Sequence, residues 1–124
     1  MDKLSPYTPT VARLLLSALF IIGGVMKLGD VAGFGGYIAA GGLPAFLAWP
    51  AVIFEIAVGV SMIVGYQVRV MALLAAAFCI VTAVIYHNPS DAAQMTNFLK
   101  NLGLAGGFLL LTSTGAGKLA LDKA

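Results

Sequence analysis

The sequence predicts an all-α membrane protein, a four-transmembrane-helix bundle in one domain over residues 1–124. Three observations carry that prediction. Hydrophobic residues make up 60% of the chain and charged residues 10%, against about 45–50% and about 25% in typical soluble domains. The apolar residues are gathered into segments long enough to cross a bilayer. Between those segments no stretch exceeds roughly 18 residues, too few for a separate soluble core.

Taken in order, the spans cover about 10–26, 45–66, 70–86 and 98–114. At a rise of about 1.5 Å per residue each is roughly 24–33 Å long as helix, near the thickness of the hydrocarbon layer. Lys27 closes the first span. It is not read as a cleaved signal peptide, because no small-x-small pattern precedes Lys27 and three more spans follow. Pro44 sits where a helix start favours proline. Gly65 and Arg69 punctuate the turn after the second span, Asn88-Pro89-Ser90-Asp91 the loop after the third, and Gly115 and Gly117 the end of the fourth. Tyr7, Tyr37, Trp49, Tyr66 and Tyr86 fall near span ends, where amphipathic aromatics are favoured. The connector from Leu28 to Leu43 carries Val31, Phe34 and Ile38 at helical spacing. It is therefore either a short surface helix, ended by Gly41-Gly42, or a flexible hairpin. Its Gly33-Phe34-Gly35 lacks the preceding strand and the third glycine of a phosphate loop.

An even number of crossings puts both termini on one side. Lys3, Arg13, Arg69, Lys118 and Lys123 fall on that side and only Lys27 and Lys100 on the other. The positive-inside bias then places both termini in the cytoplasm. A net charge of +2 with no basic run argues against nucleic acid. The single cysteine, Cys79, reads as a buried small hydrophobe and excludes an in-chain dithiol relay.

The polar residues inside the spans mark the candidate site. Glu55 lies near the middle of the second span, where an unpaired carboxylate costs at least about 2.5–3.5 kcal/mol; it must be paired, solvated or protonated. On span one Arg13, Ser17, Phe20, Gly24 and Lys27 share a face, and on span two Ala51, Glu55, Gly59 and Met62 do. Span three offers Ala72, Ala75, Cys79, Thr82 and Tyr86. Span four aligns Lys100, Gly103 and Gly107, with Asn97 and Asn101 alongside, and Gly103-x-x-x-Gly107 permits close helix approach. The preferred arrangement puts Glu55 near Lys100, with Lys27 and His87 at the outer mouth and Arg13 below. Glu55 then either locks packing through an ion pair or serves a polar cavity that binds a ligand or passes protons. His87 lacks further donors for a metal, and no metal site or haem ligation is expected.

Arg13-Leu14-Leu15-Leu16, then Gly23-Gly24-Val25-Met26-Lys27-Leu28, resemble the opening of DoxX-family membrane proteins. Gly33-Phe34 with Tyr37, Gly42-Leu43-Pro44, Glu55, Arg69 and Phe98-Leu99-Lys100-Asn101-Leu102 continue the resemblance, which runs from about Arg13 to Asp122. At Met26 the chain departs from the pattern, which often has a polar or aromatic residue before the lysine. The resemblance implies a four-helix bacterial inner-membrane protein, related to the small membrane subunit of thiosulfate:quinone oxidoreductase and to members of redox-stress complexes. It also picks out Arg13, Lys27, Glu55, Arg69, Lys100 and Asn101.

Three functions stay open. The first is a membrane subunit of an oxidoreductase assembly that helps a quinone or similar amphiphile reach a partner, with Glu55 handling protons and Lys100 or Asn101 donating to quinone carbonyls. The second is a small proton-coupled transporter, acting as a half-channel or homo-oligomer. The third is a non-catalytic anchor or assembly factor. No flavin, haem or iron–sulfur signature is present, so no intrinsic cofactor is expected and redox work would need an outside one.

Overall fold

Helix α1 runs Thr8–Leu28, following a single 3-10 turn at Ser5–Tyr7. The computed structural model describes residues 3–88 and 90–122; Pro89 of the third loop and Lys123 of the cationic side lie outside them. After α1 the connector is helical: α2 spans Val31–Ala40, and the Asp30 side chain caps it by accepting from the Gly33 N–H at 2.9 Å. Val31, Phe34 and Ile38, the residues at helical spacing, turn towards the body of the protein, with Ile38 fully buried. Their apolar stripe selects the helix over the hairpin.

Pro44 is followed by a 3-10 turn at Ala45–Leu47 and then by α3, Ala48–Val64. Gly65 ends α3 at φ 73°, a left-handed conformation that costs glycine no Cβ clash, and its N–H returns to the Ser61 carbonyl at 2.8 Å. Helix α4 spans Val68–Tyr86 and α5 spans Ala92–Thr114. The last helix thus begins at Ala92 instead of near Phe98, because the Asp91 carboxylate accepts from Ala93 N–H at 3.0 Å and starts it there. The chain is all-helical across the described residues. Three of its helical segments, Ser5–Leu28, Ala45–Val64 and Val68–Tyr86, are long and apolar enough to cross a membrane. Helix α5 is long too, but Gln94, Asn97, Lys100 and Asn101 make its first half polar.

The four long helices pack in a ring of two tight pairs, α1 with α3 and α4 with α5, with looser contacts between the pairs. Glycines set the first pair. A Cβ at Gly24 would lie 2.7 Å from the Ile56 side chain, and one at Gly59 would run into Ile21. Each helix therefore drops an isoleucine into the other's glycine notch, and the backbones approach closely. In the second pair Ala72, Ala75, Ala76 and Ala83 are buried, as are Ala105, Phe108 and Leu111 on α5.

Gly103-x-x-x-Gly107 does not serve as a close-approach motif. A Cβ at Gly103 would meet open space, and one at Gly107 would lie at an ordinary 3.4 Å from Leu16 of α1. The reason is rotational: α5 turns Asn101, Leu104, Ala105, Phe108 and Leu111 inward, and Lys100 and Gly103 lie outside that stripe.

One end of the ring is closed by polar chemistry. Arg13 is 1% exposed, yet among the described residues it makes no direct ion pair; the Asp122 carboxylate is close enough only to interact through space. Its guanidinium donates to five backbone carbonyls: Met62 at 2.7 Å and Ile63 at 2.8 Å in the last turn of α3, then Ala116 at 2.9 Å, Lys118 at 3.0 Å and Leu119 at 2.5 Å in the segment after α5. Thr10 Oγ1 donates to Lys118 O at 2.6 Å. The same segment returns the Asp122 carboxylate to the start of α4, where it accepts from Gln67 N–H at 2.7 Å and Val68 N–H at 2.8 Å. Arg69, on α4, donates to the carbonyls of Thr112, at 3.0 Å, and Ser113 at the end of α5. Each arginine thus satisfies carbonyls that a helix terminus leaves without partners, Arg13 those of α3 and Arg69 those of α5, and Arg13 also holds the segment after α5.

Removing Arg13 orphans buried acceptors, each of which costs about 1–3 kcal/mol. Arg13→Leu should therefore lower unfolding free energy in mild detergent by more than about 3 kcal/mol. Arg69→Leu, whose acceptors are exposed, should cost no more than about 1 kcal/mol. Equal losses in chemical unfolding would contradict this reading of the closed end.

Candidate functional site

At the opposite end the glycine notches have a second effect. Lys27 lies one turn beyond Gly24 on α1, and Glu55 one turn before Gly59 on α3, so close backbone approach brings the two side chains together. Lys27 Nζ donates to Glu55 Oε1 at 2.7 Å and Oε2 at 2.9 Å. The carboxylate is almost enclosed, its side chain 9% exposed, whereas the Lys27 side chain is 32% exposed. The ammonium also lies 4.7 Å from the centroid of the Phe34 ring of α2, a cation–π distance. With both carboxylate oxygens engaged, one of the three ammonium N–H groups remains available to a ligand acceptor.

This pairing corrects the arrangement expected from the sequence. Lys100 is not the partner of Glu55; it is exposed on α5 and makes no ion pair or hydrogen bond among the described residues. Arg13 sits at the far end and is committed to backbone carbonyls, so it does not reach the Glu55 site. Arg69 likewise serves the end of α5.

Between the two helix pairs, and roofed by α2, lies a cleft of about 860 Å³. Its floor is aromatic. Phe20, Phe54 and Phe78 line it from α1, α3 and α4, with Phe54–Phe78 centroids 5.2 Å apart and Phe20–Phe78 6.0 Å apart. Phe108 of α5 supports Phe20 from behind at 5.3 Å. The walls are otherwise largely aliphatic, and polar atoms enter at a few points: the Lys27–Glu55 pair, Tyr37, Thr82, Tyr86, His87 and Asn101.

Asn101 is the member of the sequence-derived set from α5 that reaches the cleft. Its Nδ2 donates to Thr82 Oγ1 at 3.0 Å and to Cys79 O at 3.3 Å. Both bonds use the amide nitrogen and leave Oδ1 without a hydrogen bond among the described residues, an acceptor for a ligand hydroxyl. His87 stands at the rim, its Nδ1 2.9 Å from Gln94 Oε1, while Asp30 and Asp91 cap helices elsewhere. No cluster of three or more metal-ligating side chains forms among the described residues.

Two aromatics placed near span ends by the sequence, Tyr86 also on the stripe of span three, build the roof. Tyr37 of α2 stacks on Tyr86 of α4 with centroids 4.9 Å apart, and Tyr86 Oη donates to Ile38 O at 2.8 Å. Burial, with Tyr86 beside it, holds the Tyr37 phenol above its usual acidity range. The helical stripe on span three, which contained Thr82 and Tyr86, pointed at both residues. On α2 the helical spacing of Val31, Phe34 and Ile38 marked the side that carries Phe34, but no signal placed Tyr37 over the cleft.

Fold and site together define a helical membrane protein with a buried ion pair beside an apolar cleft. The family model for DoxX matches residues 8–88, from the start of α1 to just beyond α4. The chain belongs to the DoxX family. It is 36% identical over 124 residues to inner membrane protein YqjF of Escherichia coli K12, covering 99% of this chain and 95% of YqjF. It is 34% identical over 126 residues to inner membrane protein YphA of the same organism, covering 95% of this chain and 90% of YphA. Those alignments include α5. No solved structure matches the chain.

If Lys27 and Glu55 stabilise one another, losing either should hurt more than losing both. Lys27→Met should cost about 1–3 kcal/mol, between the values for an exposed pair and for breaking a fully buried one, because the lysine is partly exposed. Lys27→Met with Glu55→Leu should recover most of that loss. A double-mutant cycle in detergent with a coupling energy under about 0.5 kcal/mol would mean that the two contribute independently.

Proposed function

We propose that the protein is an inner-membrane DoxX protein of four spans with both termini in the cytoplasm, whose cleft binds a quinone or similar amphiphile. The carrying observation is the cleft itself, which has an apolar aromatic interior and a single charge-neutral ion pair at one edge. Ligand sites commonly combine apolar walls with a few convergent polar groups. A quinone ring would rest against Phe54 and Phe78. One carbonyl would accept the remaining Lys27 N–H, and Asn101 Oδ1 would receive a hydroxyl in the reduced form. Glu55, already bonded to Lys27, is the group best placed to exchange a proton with that head.

Four spans are supported by α5, whose 23 residues would extend about 34 Å and which packs along α4. Its polar first half turns Asn97 and Asn101 inward, so the helix need not present them to lipid. Arg13, Arg69 and Lys118 gather at one end of the ring and Lys27 lies towards the other, which supports cytoplasmic termini under the positive-inside rule. The names of YqjF and YphA support the inner membrane. On this reading the protein is the membrane subunit of an oxidoreductase assembly, with its electron-carrying cofactor on a partner.

The test is calorimetric titration of the native protein, in lipid nanodiscs, with a decyl-tailed benzoquinone. Saturable binding is expected, with the dissociation constant raised at least tenfold by Lys27→Met or Glu55→Gln. Lys100→Met should change it by less than twofold. Absence of saturable binding to the native protein defeats the quinone reading.

A further inference from the structure

The cleft is not closed on all sides, and where it opens bears on how a ligand enters. Helices α3 and α4 are joined by the short turn Gly65–Gln67 and pack far more loosely on each other than either does on its pair partner, with Phe54 and Phe78 in tilted ring contact across the seam. Along this seam the cleft lining includes side chains that are themselves on the outer surface: Pro50 of α3, and Leu74, Ala77 and Val81 of α4. Leu74 is 47% exposed and Val81 52% exposed. On the opposite seam, between α1 and α5, the outward-facing liner is Leu19, while Asn101 and Leu104 are half-buried. All the outward-facing liners of the α3–α4 seam are apolar. A groove of this kind in a membrane-spanning segment meets acyl chains, not water.

Resting on the ligand reading above, we propose that the α3–α4 seam is a lateral slot: the ligand is a single-tailed amphiphile with a neutral head that arrives from the bilayer and keeps its tail in the slot. Head neutrality follows from the site's own charge. Lys27 and Glu55 cancel, so a doubly charged phosphate head would enter an enclosed place with no net counter-charge. A single tail follows from the slot's location. The tail crosses between two neighbouring helices, and its other face stays in lipid. Moving a tail from lipid to such a slot gains little free energy, because both surroundings are equally apolar. The slot therefore governs access and tail placement, while affinity resides in the head.

That division gives the test its form. Ala77→Trp fills the α3–α4 seam and Leu19→Trp the α1–α5 seam; both positions are exposed, so neither residue needs core space. The probes are a decyl-tailed benzoquinone and the same ring without its tail, titrated calorimetrically in lipid nanodiscs. The slot predicts that Ala77→Trp raises the dissociation constant of the tailed probe at least tenfold and that of the bare ring less than twofold, whereas Leu19→Trp treats the two probes alike. Val81→Trp, on the same seam, substitutes for Ala77→Trp if that variant does not fold. Unchanged tailed-probe binding in both α4 variants, or selective loss in Leu19→Trp, overturns the slot and leaves the head site standing. Failure of both probes to bind the native protein defeats the ligand reading and the slot together.

Discussion

The fold depends on one side chain that satisfies other people's backbone. Helix ends leave carbonyls without partners, and in a bilayer no water is at hand to take them. Arg13 gathers two such carbonyls from α3, and three more from the non-helical segment beyond α5, into a single guanidinium. A planar, permanently charged group with five donors suits this task in a way that lysine would not. The segment it holds carries Asp122 to the open start of α4. The closed end of the ring is thus a continuous hydrogen-bonded plug, fixing where α1, α3 and α4 stand relative to one another.

With one end fixed, the site at the other end follows from unequal packing. The glycine notches at Gly24 and Gly59 draw α1 and α3 together and set the register that pairs Lys27 with Glu55. Alanines draw α4 onto α5 in the same manner. Among the described residues the two pairs pack more loosely on each other than within themselves, and α2 roofs the space between them. The cleft is therefore the place where tight packing stops, and its polar groups stand on the two walls: Lys27 and Glu55 on one, Thr82 and Asn101 on the other.

Much of this was legible in the sequence, and the unread part has a common cause. Periodicity gave the helices and their inward stripes on α1, α3 and α4, and the cost of a charge in an apolar run singled out Glu55. The choice of Lys100 over Lys27 as its partner failed because helical spacing says which residues share a face of one helix, not which helix lies alongside. The notches that decide it involve Ile21 and Ile56, which look like any lipid-facing isoleucine until α1 and α3 are in place. The role of Arg13 was hidden for a similar reason: its acceptors are main-chain atoms, present at every position and therefore silent in a sequence. The helical α2 was one of two open readings, and its stacking of Tyr37 on Tyr86 is a long-range contact that leaves no local mark.

The plug also constrains the order of biogenesis. The acceptors of Arg13 lie between 49 and 106 residues downstream of it. As a ribosome feeds the chain into the membrane from its N-terminus, α1 inserts long before the segment that will embrace its guanidinium exists. Until then the arginine, about one and a half turns into α1, must reach back to the headgroups for solvation. Met62 and Ile63 arrive with α3, and Ala116, Lys118 and Leu119 only after α5, so the guanidinium acquires its partners in two instalments and the plug closes last.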